Sequence, residues 1–358
     1  MSKRATYPAL SGEIDQSRVA VILGVTGQDG SLLAGNLISR GWTVIGVARN
    51  TGPVVTLQTH PHEPFKLVKG TITDQAFLEE LFLQVEPDAV FNVAGFTHVE
   101  SSWDAQAESR EVNFFAVQKI VASLELAHSK TGKAPHYYHS SSSEIFGGAA
   151  EKPQREDTIL NPVTPYGEHK ALAHSFLQSA RSSTELPITI GILYNHESPL
   201  RPEKFVSRKI SAGVAAIGLG LKDTLVLGNI HSSRDWGFAG DYVKAIEELV
   251  VTRSLGDFII ATGVEHTVKD FVSQAFECIG IHRWEQYLEI AEGLFRDADP
   301  NMLVGNPTKI YREIGWAPTT SFEELVRMMV SYDLSRLGFA EGKIYPAFHP
   351  QRRADEFG

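Results

Sequence analysis

Val19-Ala-Val-Ile-Leu23-Gly24-Val-Thr-Gly27-Gln-Asp-Gly30-Ser31 is the stretch that decides the fold. Five apolar residues in a row suit a strand covered on both faces. A glycine-rich turn follows, and a helical pattern then runs to about Arg40 and stops at Gly41. A dinucleotide-binding βαβ unit requires this order of strand, glycine turn and helix. Glycines let the backbone approach a pyrophosphate, whose charge rests at the helix N-terminus. The spacing is GxxGxxG rather than GxGxxG. A tight turn with no ligand is the competing reading, and the position directly after the first strand weighs against it. Gly24, Thr26, Gly27, Gln28, Asp29 and Gly30 are therefore candidate cofactor-binding residues.

The next apolar run, Trp42-Thr-Val-Ile-Gly-Val-Ala48, ends in Arg49-Asn50-Thr51. NAD binders usually place an acid there to hold the ribose 2′-hydroxyl. A carboxylate would repel a 2′-phosphate, whereas an arginine pairs with it. Arg49 thus points to NADP over NAD, unless it is an ordinary surface residue.

Outward from this unit the alternation continues. Pro87-Asp-Ala-Val-Phe-Asn-Val-Ala94 reads as a fourth strand, and small Ala94 lets the chain pass close to a cofactor. Val112-Asn113 opens a helix running through Leu126. His136 and His139 flank a fifth strand leading to Ser142, and Ile188 to Tyr194 is a sixth. Alternating strands and helices imply an α/β fold, a Rossmann-type doubly wound parallel sheet. A smaller C-terminal substrate-binding lobe completes it. The expected division is a polar tail at 1–18 and a nucleotide domain at 19–195, with a returning segment at about 226–262. The lobe takes 196–225 and 263–345, and 346–358 is a second tail.

The 358 residues are 42% hydrophobic and 21% charged, with a net charge of −10. That balance argues against general affinity for nucleic acid or an anionic membrane. No apolar run approaches the roughly 18 residues of a membrane span, and the N-terminus lacks a signal peptide's apolar centre. The single cysteine, Cys278, excludes an internal disulfide. A cytoplasmic protein is expected. His60-Pro-His62 has no neighbouring carboxylate or cysteine cluster, so no metal site is expected.

The chemistry centres on Ser142-Ser143-Glu144 and Tyr166-Gly-Glu-His-Lys170. Tyr166 and Lys170, four apart, share one helix face. A free tyrosine has a pKa of about 10 and is a poor base near neutrality. A nearby ammonium favours the phenolate, and a shift of roughly 3 units takes about 4 kcal/mol. Ser142 can hydrogen-bond the same substrate hydroxyl. Glu144 adds a second acid/base group, which hydride transfer alone does not need and elimination of water does. Its bland alternative is a turn-capping glutamate. After the sixth strand come Asn195-His196-Glu197-Ser198-Pro199, Phe205-Val206, Lys209, Leu227-Gly228-Asn229, Arg234-Asp-Trp-Gly237, Arg296 and Asp299. Lone basic residues beside polar loops suit a diphosphate, although each singly reads as a solvated surface charge.

These motifs resemble the extended short-chain dehydrogenase/reductases, and within them the GDP-mannose 4,6-dehydratases. The likeness spans roughly residues 19 to 335. Gly27-Gln-Asp-Gly30 and Asn195-His-Glu-Ser-Pro199 are its most specific pieces, far more so than Tyr-x-x-x-Lys. The resemblance implies that Tyr166, with Lys170 and Ser142, removes the C4 hydroxyl proton while C4 hydride passes to NADP⁺. Glu144 then takes the C5 proton and helps the C6 hydroxyl leave as water, and the hydride returns to C6. It further implies that Ala94, Tyr166, Lys170 and His196 contact the cofactor. Asn195, Lys209, Arg234, Arg296 and Asp299 would hold the GDP portion, with Phe205, Val206 and Gly228 also binding substrate. Ser102 and Ser143 would touch the sugar. A homodimer or homotetramer is expected on the same ground. Departures are Ser142 for threonine, Leu200 for the first of two arginines, Asn50 for a second arginine, and Asp299 for glutamate. A different GDP-sugar such as a heptose, a reductase or epimerase, and a non-catalytic NADP sensor stay open as alternatives.

Overall fold

A computed structural model of the chain describes residues 18–50, 65–291 and 303–338. In chain order the strands are β1 Val19–Leu23, β2 Thr43–Ala48, β3 Phe65–Lys69, β4 Ala89–Asn92, β5 His136–Ser142, β6 Ile188–Leu193, β7 Asn195–Glu197, β8 Leu225–Leu227, β9 Ser233–Phe238, β10 Gly256–Ile260, β11 Glu265–Thr267 and β12 Leu288–Ile290. The α-helices are α1 Gln28–Ser39, α2 Gln75–Val85, α3 Ser101–Asp104, α4 Gln106–Arg110, α5 Ala116–Thr131, α6 Pro165–Ser183, α7 Val206–Gly218, α8 Ala239–Val251, α9 Val268–Glu277, α10 Thr308–Ile314 and α11 Phe322–Arg336.

Seven strands form one sheet in the order β10-β6-β5-β4-β1-β2-β3, and every pairing within it is parallel. β1, β2, β4, β5 and β6 are buried along their whole lengths. That is why β1, β2 and β6 read as largely apolar runs rather than alternating ones, whereas β5 is buried despite its His136, His139 and serines. One apolar core joins the sheet to α2, α5 and α6, and a second joins its other face to α1 and α8. Strand order reverses between β1 and β4, so the crevice of a doubly wound sheet opens at their carboxyl ends.

A third core, separate in its residues, unites α7, α9 and α11 with β8 and Trp236 of β9. Arg208 of α7 donates to Asp333 of α11 at 2.6 Å inside it. This smaller lobe divides differently from the expected boundaries. Within the expected returning segment, β8 and β9 pack in the lobe, and only α8 and β10 rejoin the nucleotide domain. Ile310 of α10 and Trp316 also pack in the nucleotide domain's core, although their stretch was expected in the lobe.

Local chemistry fixes the helix starts nearest the crevice. Thr164 caps α6 by accepting the Gly167 N–H at 3.0 Å, and Pro165 occupies the first turn. Asp74 caps α2 by accepting the Phe77 N–H at 3.2 Å. Two expectations are corrected. The helical stretch starts at Gln106, not Val112, and passes through a π-helical segment at Glu111–Phe115 before α5. His136 and His139 lie inside β5 and are buried, not at its flanks. The tails, the 51–64 stretch with His60 and His62, and Arg296 and Asp299 lie outside the described residues.

Candidate active site

A cavity of about 650 Å³ lies across the carboxyl ends of β4, β5 and β6 and the inner face of the lobe. Ser142 is the last residue of β5, paired with Leu193 of β6. The chain then turns through a short 3₁₀ segment, Ser143–Phe146, in which the Ser142 hydroxyl accepts the Glu144 N–H at 3.3 Å. Strand end and turn together bring Ser142, Ser143 and Glu144 to the cavity, which Tyr166 and Lys170 of α6 also line. All four candidate catalytic residues are buried.

Electrostatics here depart from the simple pairing of Tyr166 with Lys170. Lys170 Nζ donates to the Ser140 carbonyl at 2.8 Å. Burial lowers its pKa to about 8. Burial pushes the Tyr166 hydroxyl up to about 12, against the lowering effect of its hydrogen bond with Ser142; the nearby Glu144 carboxylate raises it further. In the chain alone, burial of the phenol dominates Tyr166, and Lys170 is turned to the Ser140 carbonyl, so the lowering expected from their spacing is not seen.

Ser102 is corrected too. It is fully buried rather than on the cavity wall. Its hydroxyl donates to the Val99 carbonyl at 2.5 Å and accepts the Tyr166 N–H at 3.2 Å. That contact satisfies a helix-start donor and fixes Tyr166 from behind. Asn113, read from the sequence only as part of a helix start, has a role at the site. Buried in the π-helical segment, it accepts the Phe96 N–H and donates to the Phe96 carbonyl. This holds the Ala94-Gly95-Phe96 passage in place beside the cavity.

The glycine turn suits a dinucleotide. Gly24 adopts φ +93, and a Cβ there would lie 2.8 Å from the Ala94 backbone; one on Gly30 would meet the Gly24 carbonyl oxygen at 2.3 Å. Gly27 starts α1 with no side-chain cap, and Thr26 and Gly27 are exposed. The first N–H groups of α1 are thus presented on an open face, as a diphosphate requires. Gln28 donates to the His196 carbonyl and accepts from the Ser198 hydroxyl, while Asp29 pairs with the His196 ring. These two side chains therefore join the turn to the Asn195–Pro199 loop. Arg49 sits beyond the cavity, exposed, 4.0 Å from Glu108.

Of the remaining candidates, Asp29, Ala94, Asn195, His196, Phe205, Val206, Lys209, Gly228 and Arg234 line the cavity. Arg201 and Lys204 line it as well and were not anticipated. Arg201 lies over the Phe205 ring at 3.7 Å and pairs with Glu197 at 3.2 Å. A cluster of arginines and lysines would have been the sequence signal, but only the fold brings Arg201, Lys204, Lys209 and Arg234 to one wall. Among the described residues, no group of three or more His, Cys, Asp or Glu is placed to hold a metal ion. No described helix is long and apolar enough to cross a membrane.

Comparison with known proteins shows the family. The family described as GDP-mannose 4,6 dehydratase matches residues 21–329. GDP-mannose 4,6 dehydratase 1 of Arabidopsis thaliana is 36% identical over 91% of this chain and 93% of its own. The Homo sapiens GDP-mannose 4,6 dehydratase is 35% identical over 90% of this chain and 93% of its own. Among solved structures, a dTDP-glucose 4,6-dehydratase from Streptomyces venezuelae with NAD bound superposes with a TM-score of 0.78 at 21% identity, covering 90% of this chain and 99% of that one. The last likeness shows the shared Rossmann-type fold. The chain belongs to the GDP-mannose 4,6-dehydratase family.

Proposed function

We propose that the chain converts GDP-mannose to GDP-4-keto-6-deoxymannose, with NADP as a hydride carrier that ends as it began. The observation that carries this reading is the burial of Glu144 in the same cavity as Ser142, Tyr166 and Lys170. A reductase or epimerase has no use for a carboxylate base at that place. NADP⁺, when bound in the crevice, would supply a reversible hydride acceptor for this exchange.

The chain's own residues do the rest. Ser142, already hydrogen-bonded to Tyr166, orients the C4 hydroxyl, and Tyr166 takes its proton. Lys170 keeps a cation beneath the site while anchored on Ser140. The 4-ketone acidifies C5–H, and Glu144 removes that proton and assists departure of the C6 hydroxyl. Of the two protons abstracted, one leaves in the water and the other returns to C5, so the reaction balances as loss of one H₂O. Ser143 adjoins the sugar. Asn195, Phe205, Val206, Lys209, Gly228 and Arg234 hold the GDP portion, and Arg201 and Lys204 add charge on the same wall.

The glycine turn from Gly24 to Gly30 holds the cofactor diphosphate, and Arg49 is its 2′-phosphate partner. Ala94 and His196 flank the cofactor deeper in the crevice. We place the enzyme in the cytoplasm, as a homodimer or homotetramer, on the family likeness.

The test is incubation of the purified chain with GDP-mannose and NADP⁺. Product lighter by one water, without net reduction of the cofactor, supports the reading. Unchanged GDP-mannose with folded protein that turns over a different GDP-sugar would move the assignment to that sugar.

A further inference from the structure

The end of β2 carries a cation and, across the crevice edge, an acid. Arg49 follows Ala48, the last residue of β2. Its guanidinium lies 4.0 Å from the Glu108 carboxylate, and the two side chains are 76% and 58% exposed. Glu108 belongs to α4, which follows β4, so two separate parts of the chain meet at this point. The adenosine ribose of a dinucleotide lies at the end of the second strand in such sheets. An arginine there favours a 2′-phosphate, and a carboxylate favours a 2′-hydroxyl. This chain supplies both. Lys69, the last residue of β3 and the register partner of Ala48, is a further cation on that edge.

We propose that Glu108 is a specificity-determining residue that opposes Arg49 and brings the affinities for NADP(H) and NAD(H) close together. The inference rests on the dinucleotide reading of the glycine turn given above. A 2′-phosphate seated on Arg49 must displace or share the guanidinium with Glu108, and it places like charge beside that carboxylate. A 2′-hydroxyl leaves the Arg49–Glu108 pair intact and can donate to Glu108. The pair discriminates less than Arg49 alone would. Exposure of both side chains limits the effect and makes it sensitive to salt.

The experiment is titration of NADPH and NADH into the wild type and Glu108→Gln, read by nicotinamide fluorescence at low and high ionic strength. Melting temperatures of both proteins control for folding. The expected result is NADPH binding tighter by about 3–10-fold in Glu108→Gln, NADH changed by less than about twofold, and the gain smaller at high salt. Arg49→Ala should weaken NADPH more than NADH. Parallel shifts for the two dinucleotides, or none, would overturn the role of Glu108 while leaving the cofactor reading intact. A wild type that binds neither dinucleotide would overturn both.

Discussion

The imidazole of His196 is held between two acceptors: Nδ1 faces the Tyr194 carbonyl at 2.7 Å, and Nε2 lies 3.0 Å from the Asp29 carboxylate. A neutral ring has one N–H, so only the imidazolium satisfies both contacts. Asp29 accordingly raises the pKa of His196 despite the cost of burial, and His196 lowers that of Asp29. The ring also stacks on Tyr242 at 5.1 Å. The pair ties the first turn of α1 to the loop that leads into the lobe.

Asp29→Asn is expected to lower stability by about 1–3 kcal/mol at pH 6. The sign with pH follows from the two shifts. The His196 contribution is complete below its unfolded value near 6.5 and is lost as pH rises through its higher folded value. The Asp29 contribution is present above 3.8 and is lost as pH falls through its lower folded value. The difference between wild type and variant should therefore be largest at about pH 5–6 and shrink toward pH 9. Urea unfolding at three pH values measures it, and a pH-independent difference would contradict the imidazolium assignment.

Ser102→Ala removes both contacts that brace the start of α6. Stability is expected to fall by about 1–2 kcal/mol. Turnover should drop more through kcat than through KM, because the Tyr166 backbone loses its support while the residues proposed to hold the GDP portion keep their contacts. Ser102→Thr, which keeps the hydroxyl, should recover part of the loss if its methyl is accommodated. A change confined to KM would return Ser102 to the sugar-binding role expected from resemblance.

Much of this was legible in the sequence for a physical reason. Strand periodicity, the glycine turn and the Tyr166–Lys170 spacing are local patterns, and each gave the right element. Ser102, Asn113 and Arg201 act through partners 64, 17 and 4 residues away. For Ser102 and Asn113 those partners meet only through packing. For Arg201 the pairing with Glu197 is local, but its place on the cavity wall is set by the lobe. The boundary of the lobe was hidden for a related reason: β9 and α8 are contiguous in sequence, yet they serve different cores. The upward push of burial on Tyr166 was hidden because spacing says nothing of desolvation.

An alkaline limb is expected in the pH–rate profile. Lys170 carries its charge below about 8, so kcat should fall as pH rises through that value. The stability consequence has the opposite sign: a lysine whose folded pKa is depressed penalises the folded state at low pH, and the penalty is relieved as pH rises from about 8 toward the unfolded value. Activity falling while Lys170-linked stability rises is the signature. A kcat flat to pH 10 would remove Lys170's charge from the rate.

Glu144→Gln is expected to bind GDP-mannose and transfer hydride once, leaving reduced cofactor and a 4-ketone that loses no water. Tyr166→Phe should block even the first hydride transfer. Stopped-flow fluorescence of the nicotinamide separates the two, and dehydration by Glu144→Gln would exclude that carboxylate as the C5 base.

In the proposed reaction one hydride leaves C4 and returns to C6 of the same sugar. GDP-mannose carrying deuterium at C4, incubated with the enzyme and unlabelled NADP⁺, tests it most directly. The expected product is lighter by one water, with the deuterium retained at C6, as read by mass spectrometry and NMR. Deuterium lost to solvent, or accumulating in the free cofactor, would contradict it.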